Sequence, residues 1–376
     1  MFFLRGRANI IMDGQFGSTG KGLIAGYLGL KDERCGAVDF AVTNAAPNAG
    51  HTFVQEDGRK IMTHHFPMVG LVNPETKLVI DAGAIIDPVL FQKEMKEFNI
   101  HPGRVYVHPR AAVICPEDVE EERRRDSGPT KIASTQHGVG AALKRKIDRT
   151  AILAKDHPYL SQFCYSYPNL NQTMRDGATV SLEVPQGYGL GINSGLSYPH
   201  CTSREISVSQ ALSDAQIHPR YLGNVLMSIR TYPIRVGNIK DYDGKEIGWS
   251  GPFWEDSMET TWERLGFKPE LTTVTKRVRR VATFSFSQYE DALEALRPTH
   301  VFVNFMNYLK SWQEAKDFLT LLVDKEIDHN QFPIRYYYGC GPTVKDVLGD
   351  PGALEQYYKD VDDLRSVYSQ SQGVTE

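Results

Sequence analysis

Near its start the chain reads Asn9-Ile-Ile-Met-Asp-Gly-Gln-Phe-Gly-Ser-Thr-Gly-Lys-Gly22, a short apolar run that ends in glycines at 14, 17 and 20 with a lysine at 21. Glycines let backbone N–H groups approach phosphate oxygens with no Cβ in the way. Lys21 adds a point charge, and Leu23-Ile-Ala-Gly-Tyr-Leu28 predicts a helix whose N-terminus faces the anion. Gly17, Thr19, Gly20 and Gly22 are therefore expected around a phosphate. The run is not a Walker A loop, which needs Gly-x4-Gly-Lys-Ser/Thr. Five residues separate Gly14 from Gly20, and Gly22 stands where the magnesium-binding hydroxyl would be. A plain turn is the alternative, but strand, glycines, lysine and helix in succession favour phosphate.

Such a loop needs a sheet to carry it. Apolar runs at Ala8–Met12, Lys77–Ile80, Arg104–Val107, Val225–Thr231 and His300–Phe305 predict strands, and Met1–Leu4 is expected as the start of the first. Pro88–Phe98, Glu117–Arg125 and Gln313–Leu322 predict helices between them. This alternation predicts an α/β fold with a large, mostly parallel central sheet flanked by helices. The 376 residues are expected as one domain, with an excursion from the sheet at about 239–268 and a polar tail at about 360–376 that frays. The apolar share, 41%, supports a sizeable core, and a net charge of −4 argues against a nucleic-acid partner. Five scattered cysteines, Cys35, Cys115, Cys164, Cys201 and Cys340, form no C-x-x-C pair, so a reducing cytoplasm is the expected setting. No apolar run has membrane length.

A second motif, Asn48-Ala-Gly-His-Thr52, follows the loop by about one βα unit. Together the two resemble the adenylosuccinate synthetase family, and the resemblance continues in order. It takes in Ser134-Thr-Gln-His-Gly-Val-Gly140, Arg149, Gln186-Gly187, Tyr198-Pro-x-x-Thr202, Tyr232-Pro-Ile-Arg-Val-Gly-Asn238, Val274-Thr-Lys-Arg-Val-Arg-Arg280 and Gly339-Cys-Gly-Pro342. The match spans roughly residues 8 to 345.

The resemblance implies a fold related to the P-loop NTPases and a two-step reaction. A γ-phosphoryl group is transferred to O6 of a purine nucleotide, and the amino group of L-aspartate then displaces phosphate at C6. It implies His51 as the proton donor at O6, Lys21 at the phosphates with Thr52 beside them, and Mg²⁺ bound by the Gly50 carbonyl and the residue at position 18. Asn48, Ser134, Thr135, Gln186, Thr202 and Val236 would hold the purine monophosphate, with Arg149 reaching in from the second subunit of a homodimer. Thr275, Arg277 and Arg279 would hold aspartate, a task suited to forked guanidinium donors. Gly339, Gly341 and Pro342 would lie beside the donor base.

Two departures redirect the reading. The family has Asp-Glu where this chain has Ser18-Thr19. The shorter, uncharged serine leaves space beside purine N1 and C2, where guanine carries an amino group. This pattern resembles the phage and archaeal-virus branch of the family, which converts dGMP and aspartate to N6-succino-2-amino-2′-deoxyadenylate for diaminopurine DNA. Where the family reads guanine with Thr-Lys-x-Asp, Asn304 and Met306 stand for the lysine and aspartate. A thioether suits an adenine face better than guanine's two donors, so ATP or dATP is the expected donor. The expected enzyme is thus a viral-type C–N ligase working in the host cytoplasm. Its alternatives are an ordinary synthetase using IMP and GTP, or an inactive nucleotide-binding module. His51, Lys21, Arg277 and Arg279 speak against the last.

Overall fold

The computed structural model describes residues 1–30, 36–126, 132, 134–272, 276–329 and 333–372, with side chains placed for all of these but 327–329 and 364–372. Nine strands make the central sheet. In chain order they are β1 (Ala8–Asp13), β2 (Phe40–Thr43), β3 (Lys77–Ile80), β4 (Val105–Val107), β5 (Val180–Gly187), β6 (Leu222–Arg230), β7 (His300–Asn304), β8 (Arg335–Gly339) and β9 (Val347–Leu348). Across the sheet the order is β9-β8-β7-β6-β1-β5-β2-β3-β4. All pairings are parallel except β8 with β9. The five expected strand segments fall on β1, β3, β4, β6 and β7.

The main helices are α1 (Lys21–Gly29), α2 (Met68–Val72), α3 (Pro88–Glu97), α4 (Pro116–Asp126), α5 (Val139–Ile147), α6 (Phe286–Leu296), α7 (Trp312–His329) and α8 (Pro351–Gln372). A parallel sheet is buried on both faces, and alternate residues of β1 show it. Ile10 and Met12 point into a core with Leu182, Met227, Val301, and α6 and α7 side chains such as Leu293 and Phe318. Ile11 points the other way, toward Leu23, Ile24 and Leu28 of α1, with Phe302 and Met68. The expectation that Met1–Leu4 begins the first strand is corrected. β1 starts at Ala8, and Phe2 and Phe3 instead tuck into the second core, where the Asn9 side chain accepts from the Leu4 N–H at 2.9 Å.

Smaller sheets rim this platform. His51–Val54 and Lys60–Thr63 form an antiparallel hairpin. Arg280–Ala282 pairs with Ile234–Arg235 and Glu259–Thr260, and Ile239–Lys240 pairs with Glu246–Gly248. The hairpin lies directly on α1. A Cβ on Gly22 would stand 2.2 Å from the Thr52 carbonyl oxygen, so only glycine lets the helix start and His51's strand come this close. α8 takes in most of the polar stretch after Lys359.

Candidate active site

A cavity of about 1300 Å³ opens at the carboxyl ends of β1, β5, β6 and β7. Strand order reverses around β1, the place where open parallel sheets bind ligands. The glycine–lysine loop fills the gap between β1 and α1. Its organiser is a residue the motif reading passed over, the fully buried Asp13. One carboxylate oxygen accepts from the N–H groups of Gln15 (2.8 Å) and Gly17 (3.2 Å). The other accepts from the Thr19 hydroxyl (2.5 Å) and the Lys21 ammonium (3.3 Å). Thr19, expected at a phosphate, is instead fully buried: its hydroxyl also meets Ser228 at 2.6 Å, so it braces the loop from below. Gly17, Ser18, Gly20, Lys21 and Gly22 do line the cavity.

His51 stands across from Lys21 on the hairpin, with Asn48, Gly50 and Thr52 also on the cavity wall. Its Nε2 lies 3.4 Å from the Pro185 carbonyl, and its Nδ1 lies 3.9 Å from Glu183 Oε2. Burial, and then the Lys21 ammonium, push the imidazole down to about 3, so the ring is neutral in this geometry. Burial pushes Glu183 up to about 7, against the opposing N–H bonds from Val69 and Met68.

Ser134, Thr135, Gln186, Thr202 and Val236 also line the cavity, and the Gln186 carbonyl accepts from the Lys21 ammonium at 3.3 Å. Here too a carboxylate finishes a glycine turn. Glu122 of α4 accepts from the N–H groups of Gly138 (2.8 Å) and Gly140 (2.6 Å) at the start of α5. Arg149 is exposed just beyond α5 and lies outside the cavity of its own chain. Thr275 and Cys35 lie outside the described residues.

Arg277 and Arg279 both face the cavity. Arg277 donates to the Gly237 carbonyl at 3.1 Å. Arg279 Nη1 donates to Ser18 Oγ at 2.8 Å, joining the arginine segment to the phosphate loop. Burial lowers the Arg279 guanidinium to about 10, which leaves it charged at neutral pH. Behind them Arg230, with no exposed side-chain surface, pairs with Glu270 at 2.5 Å. Burial raises the Glu270 carboxyl, but Arg230 and the Tyr308 hydroxyl outweigh it and hold it below its usual value.

The base corner needs correction. Met306, expected against the donor base, is fully buried in the core with Leu309 and Tyr358. Asn304 is buried as well, and its amide donates to the Thr19 carbonyl at 2.6 Å. Gly339 is buried beside it; a Cβ there would stand 2.2 Å from Asn304 Oδ1. Asn304 still borders the cavity, as do Phe305, Asn307, Tyr308, Gly341 and Pro342, whereas Met306 and Gly339 do not. Sequence reasoning also passed over Asp13, Glu122, Glu183, Arg230 and Glu270. Only Asp13 carried a signal, an acidic residue ending an apolar strand directly before the glycines.

The donor set near the loop bears on Mg²⁺. Among the described residues no group of three His, Cys, Asp or Glu side chains could cage a metal. The nearest carboxylate, Asp13, is buried and occupied by N–H, hydroxyl and ammonium donors. Ser18 Oγ is engaged by a guanidinium, which leaves the Gly50 backbone on the cavity wall as the better oxygen donor. This fits a cation that arrives with nucleotide phosphates and keeps several waters, the usual habit of Mg²⁺.

A glycine–lysine loop at the switch point of a parallel sheet, sharing one cavity with two arginines and a histidine, is the arrangement of a nucleotide-dependent α/β enzyme. The family model described as adenylosuccinate synthetase matches residues 10–164 and 156–366. The N6-succino-2-amino-2′-deoxyadenylate synthase of Salmonella phage PMBT28 is 37% identical over 368 residues, covering 91% of this chain and 97% of that protein. The synthase of the same name from Acinetobacter phage SH-Ab 15497 is 36% identical, covering 84% and 88%. Among solved structures, the succinoaminodeoxyadenylate synthetase (PurZ) of cyanophage S-2L, bound to dGMP and to dATP as energy donor, aligns with a TM-score of 0.80 at 32% identity. That alignment covers 94% of this chain and 99% of the cyanophage one. The chain belongs to the adenylosuccinate synthetase family and is a C–N bond-forming ligase. Among the described residues no helix is long and apolar enough to cross a membrane.

Proposed function

We propose that this enzyme joins dGMP to L-aspartate, with ATP or dATP as phosphoryl donor, to form N6-succino-2-amino-2′-deoxyadenylate in the host-cell cytoplasm. The observation that carries the reading is Ser18. It is exposed into the cavity at the position where the family keeps an aspartate, and Arg279 holds its hydroxyl. A neutral, short side chain leaves room for the guanine 2-amino group. The dGMP and dATP bound by the cyanophage relative support the same substrates here.

In the first step the purine O6 attacks the γ-phosphorus, the bond to the nucleoside diphosphate breaks, and the N1 proton leaves. In the second step the aspartate amino group attacks C6, phosphate departs from O6, and the amine loses a proton. Phosphoryl transfer is mostly positioning and charge neutralisation. The free N–H groups at the start of α1 and the Lys21 ammonium supply both, once phosphate draws Lys21 from Asp13. Mg²⁺ bound with the donor, with the Gly50 carbonyl as a ligand, would neutralise further phosphate charge. His51 is neutral in the present geometry, and an approaching phosphoryl group raises its proton affinity. It then donates to the charge developing on O6. Arg277 and Arg279 take the aspartate carboxylates, and Thr135, Thr202 and a second subunit's Arg149 take the acceptor phosphate.

The test is phosphate release and product mass with dGMP, IMP or no acceptor, each with aspartate and with ATP, dATP or GTP. Turnover with dGMP and ATP or dATP, giving the succino product, is expected. Faster turnover with IMP and GTP at matched concentrations overturns the reading.

A further inference from the structure

We infer that Arg230 is a positioning residue for Ser18 and so helps set which purine the enzyme accepts. The inference rests on the reading that Ser18 faces the acceptor base. Ser18 has a φ of 55°, a left-handed backbone that a serine does not hold without support. Arg230 provides the support: its Nη1 donates to the Ser18 carbonyl at 3.1 Å. The same guanidinium grips both Glu270 oxygens, at 3.2 and 2.5 Å, and its central carbon lies 3.8 Å from the Phe305 ring centroid. Its own backbone is pinned from the loop side, since Gln15 accepts from the Arg230 N–H (3.0 Å) and donates to the Arg230 carbonyl (3.2 Å).

Glu270 is the joint between the two halves of the site. Its side chain holds Arg230, and its backbone carbonyl accepts from the Arg279 N–H at 2.8 Å. Arg279 in turn holds the Ser18 hydroxyl. Ser18 is thus fixed at its carbonyl by one arginine and at its hydroxyl by another, and one glutamate anchors both. A lysine at 230 has a single point of donation and cannot serve the carboxylate and the carbonyl together.

The measurement is the ratio of kcat/KM for dGMP to that for IMP, which does not depend on how much enzyme is folded. In Arg230→Lys the ratio is expected to fall about tenfold, the worth of one hydrogen bond to a charged group. Added to Ser18→Ala, the same change is expected to move the ratio little, because the two act through one side chain. Glu270→Gln keeps the shape and removes the charge, and serves where Arg230→Lys fails to fold; it is expected to lower the ratio in the same direction. A ratio within twofold of the parent in either folded variant, or full additivity with Ser18→Ala, overturns the inference. A parent enzyme that does not use dGMP overturns the functional reading beneath it, a separate and visible result.

Discussion

Two glycine turns open onto this cavity, and each feeds a helix. Gly20 precedes α1 with φ 89°, Gly138 precedes α5 with φ 78°, and neither helix has a side-chain cap. In both, a carboxylate takes up backbone N–H groups that a bound anion would otherwise claim. In the first loop the carboxylate is Asp13, from the strand that leads into the loop and wholly buried. In the second it is Glu122, from a neighbouring helix and itself on the cavity wall. The difference decides what each loop can do. Asp13 takes up the inward N–H groups of residues 15 and 17, and no side chain caps the start of α1. The first loop is therefore shaped before substrate arrives. The second is held by a group that water and ligand can reach.

The largest effects are expected at the first loop. His51→Ala should lower kcat by about 10²–10⁴, the usual loss for a positioned proton donor. Equilibrium dialysis should show dGMP still bound, because the residues proposed for its phosphate, Thr135, Thr202 and Arg149, do not include His51. Near-normal turnover would remove His51 from the chemistry. Asp13→Asn turns an amide toward donors and takes the carboxylate from Lys21, leaving its charge only the Gln186 carbonyl. It should cost about 3–5 kcal/mol in urea unfolding, the scale for breaking a buried charge pair. A variant as stable as the parent would show that the loop shapes itself without the carboxylate.

At the second loop the effects are smaller. Arg149→Leu should raise KM for dGMP about tenfold or more, as for a lost charge-assisted contact, and leave stability unchanged. Mixed with His51→Ala it should recover activity, since a hybrid dimer carries one site with both groups. A fully active monomer in sedimentation would contradict the trans role. Glu122→Gln keeps one acceptor oxygen for the glycine N–H groups, and about 1 kcal/mol is the expected loss. A loss equal to that of Asp13→Asn would erase the contrast between the loops.

The same contrast marks what the sequence disclosed. β1, β3 and β7 are short apolar runs with turn residues at their ends, and periodicity finds them. β5 is as buried but carries Glu183 and Pro185 in its interior, which breaks the pattern. The carboxylate is tolerated because Met68 and Val69 N–H groups meet it at 2.9 and 2.8 Å from across the fold. Motif residues at or beside loops, such as Lys21, His51, Arg277 and Arg279, do come together on the cavity wall, because each follows from its own short motif. Met306 does not join them, because φ 61° at Phe305 turns the chain after β7 and swings the thioether into the core. Spacing from a strand end cannot reveal such a turn. Arg230 and Glu270 stayed hidden for a related reason: they are 40 residues apart and meet only in the fold.

Behind the second loop a last comparison can be made by titration. Asp81 follows β3 and accepts from the Gly83 N–H at 2.8 Å, next to the segment where Lys146 of α5 donates to the Ala82 carbonyl. Burial, and then the facing Asp214 carboxylate, push Asp81 up to about 8, with Arg204 and Lys146 opposing. The unfolded chain releases this proton near 3.8, so the folded state binds it more tightly. Its stabilising contribution is complete below about pH 4 and is lost as pH rises through about 8. Asp81→Asn, which stays neutral, should therefore gain a few degrees of Tm relative to the parent as pH rises from 5 to 8. His300, pushed down to about 4 by burial, works in the opposite sense, its contribution being lost as pH falls. It is present in both proteins, so the difference between the two Tm curves isolates Asp81. A difference that stays constant across that range would show that Asp81 ionises freely, and that α5 rests on a charged contact instead of a protonated one.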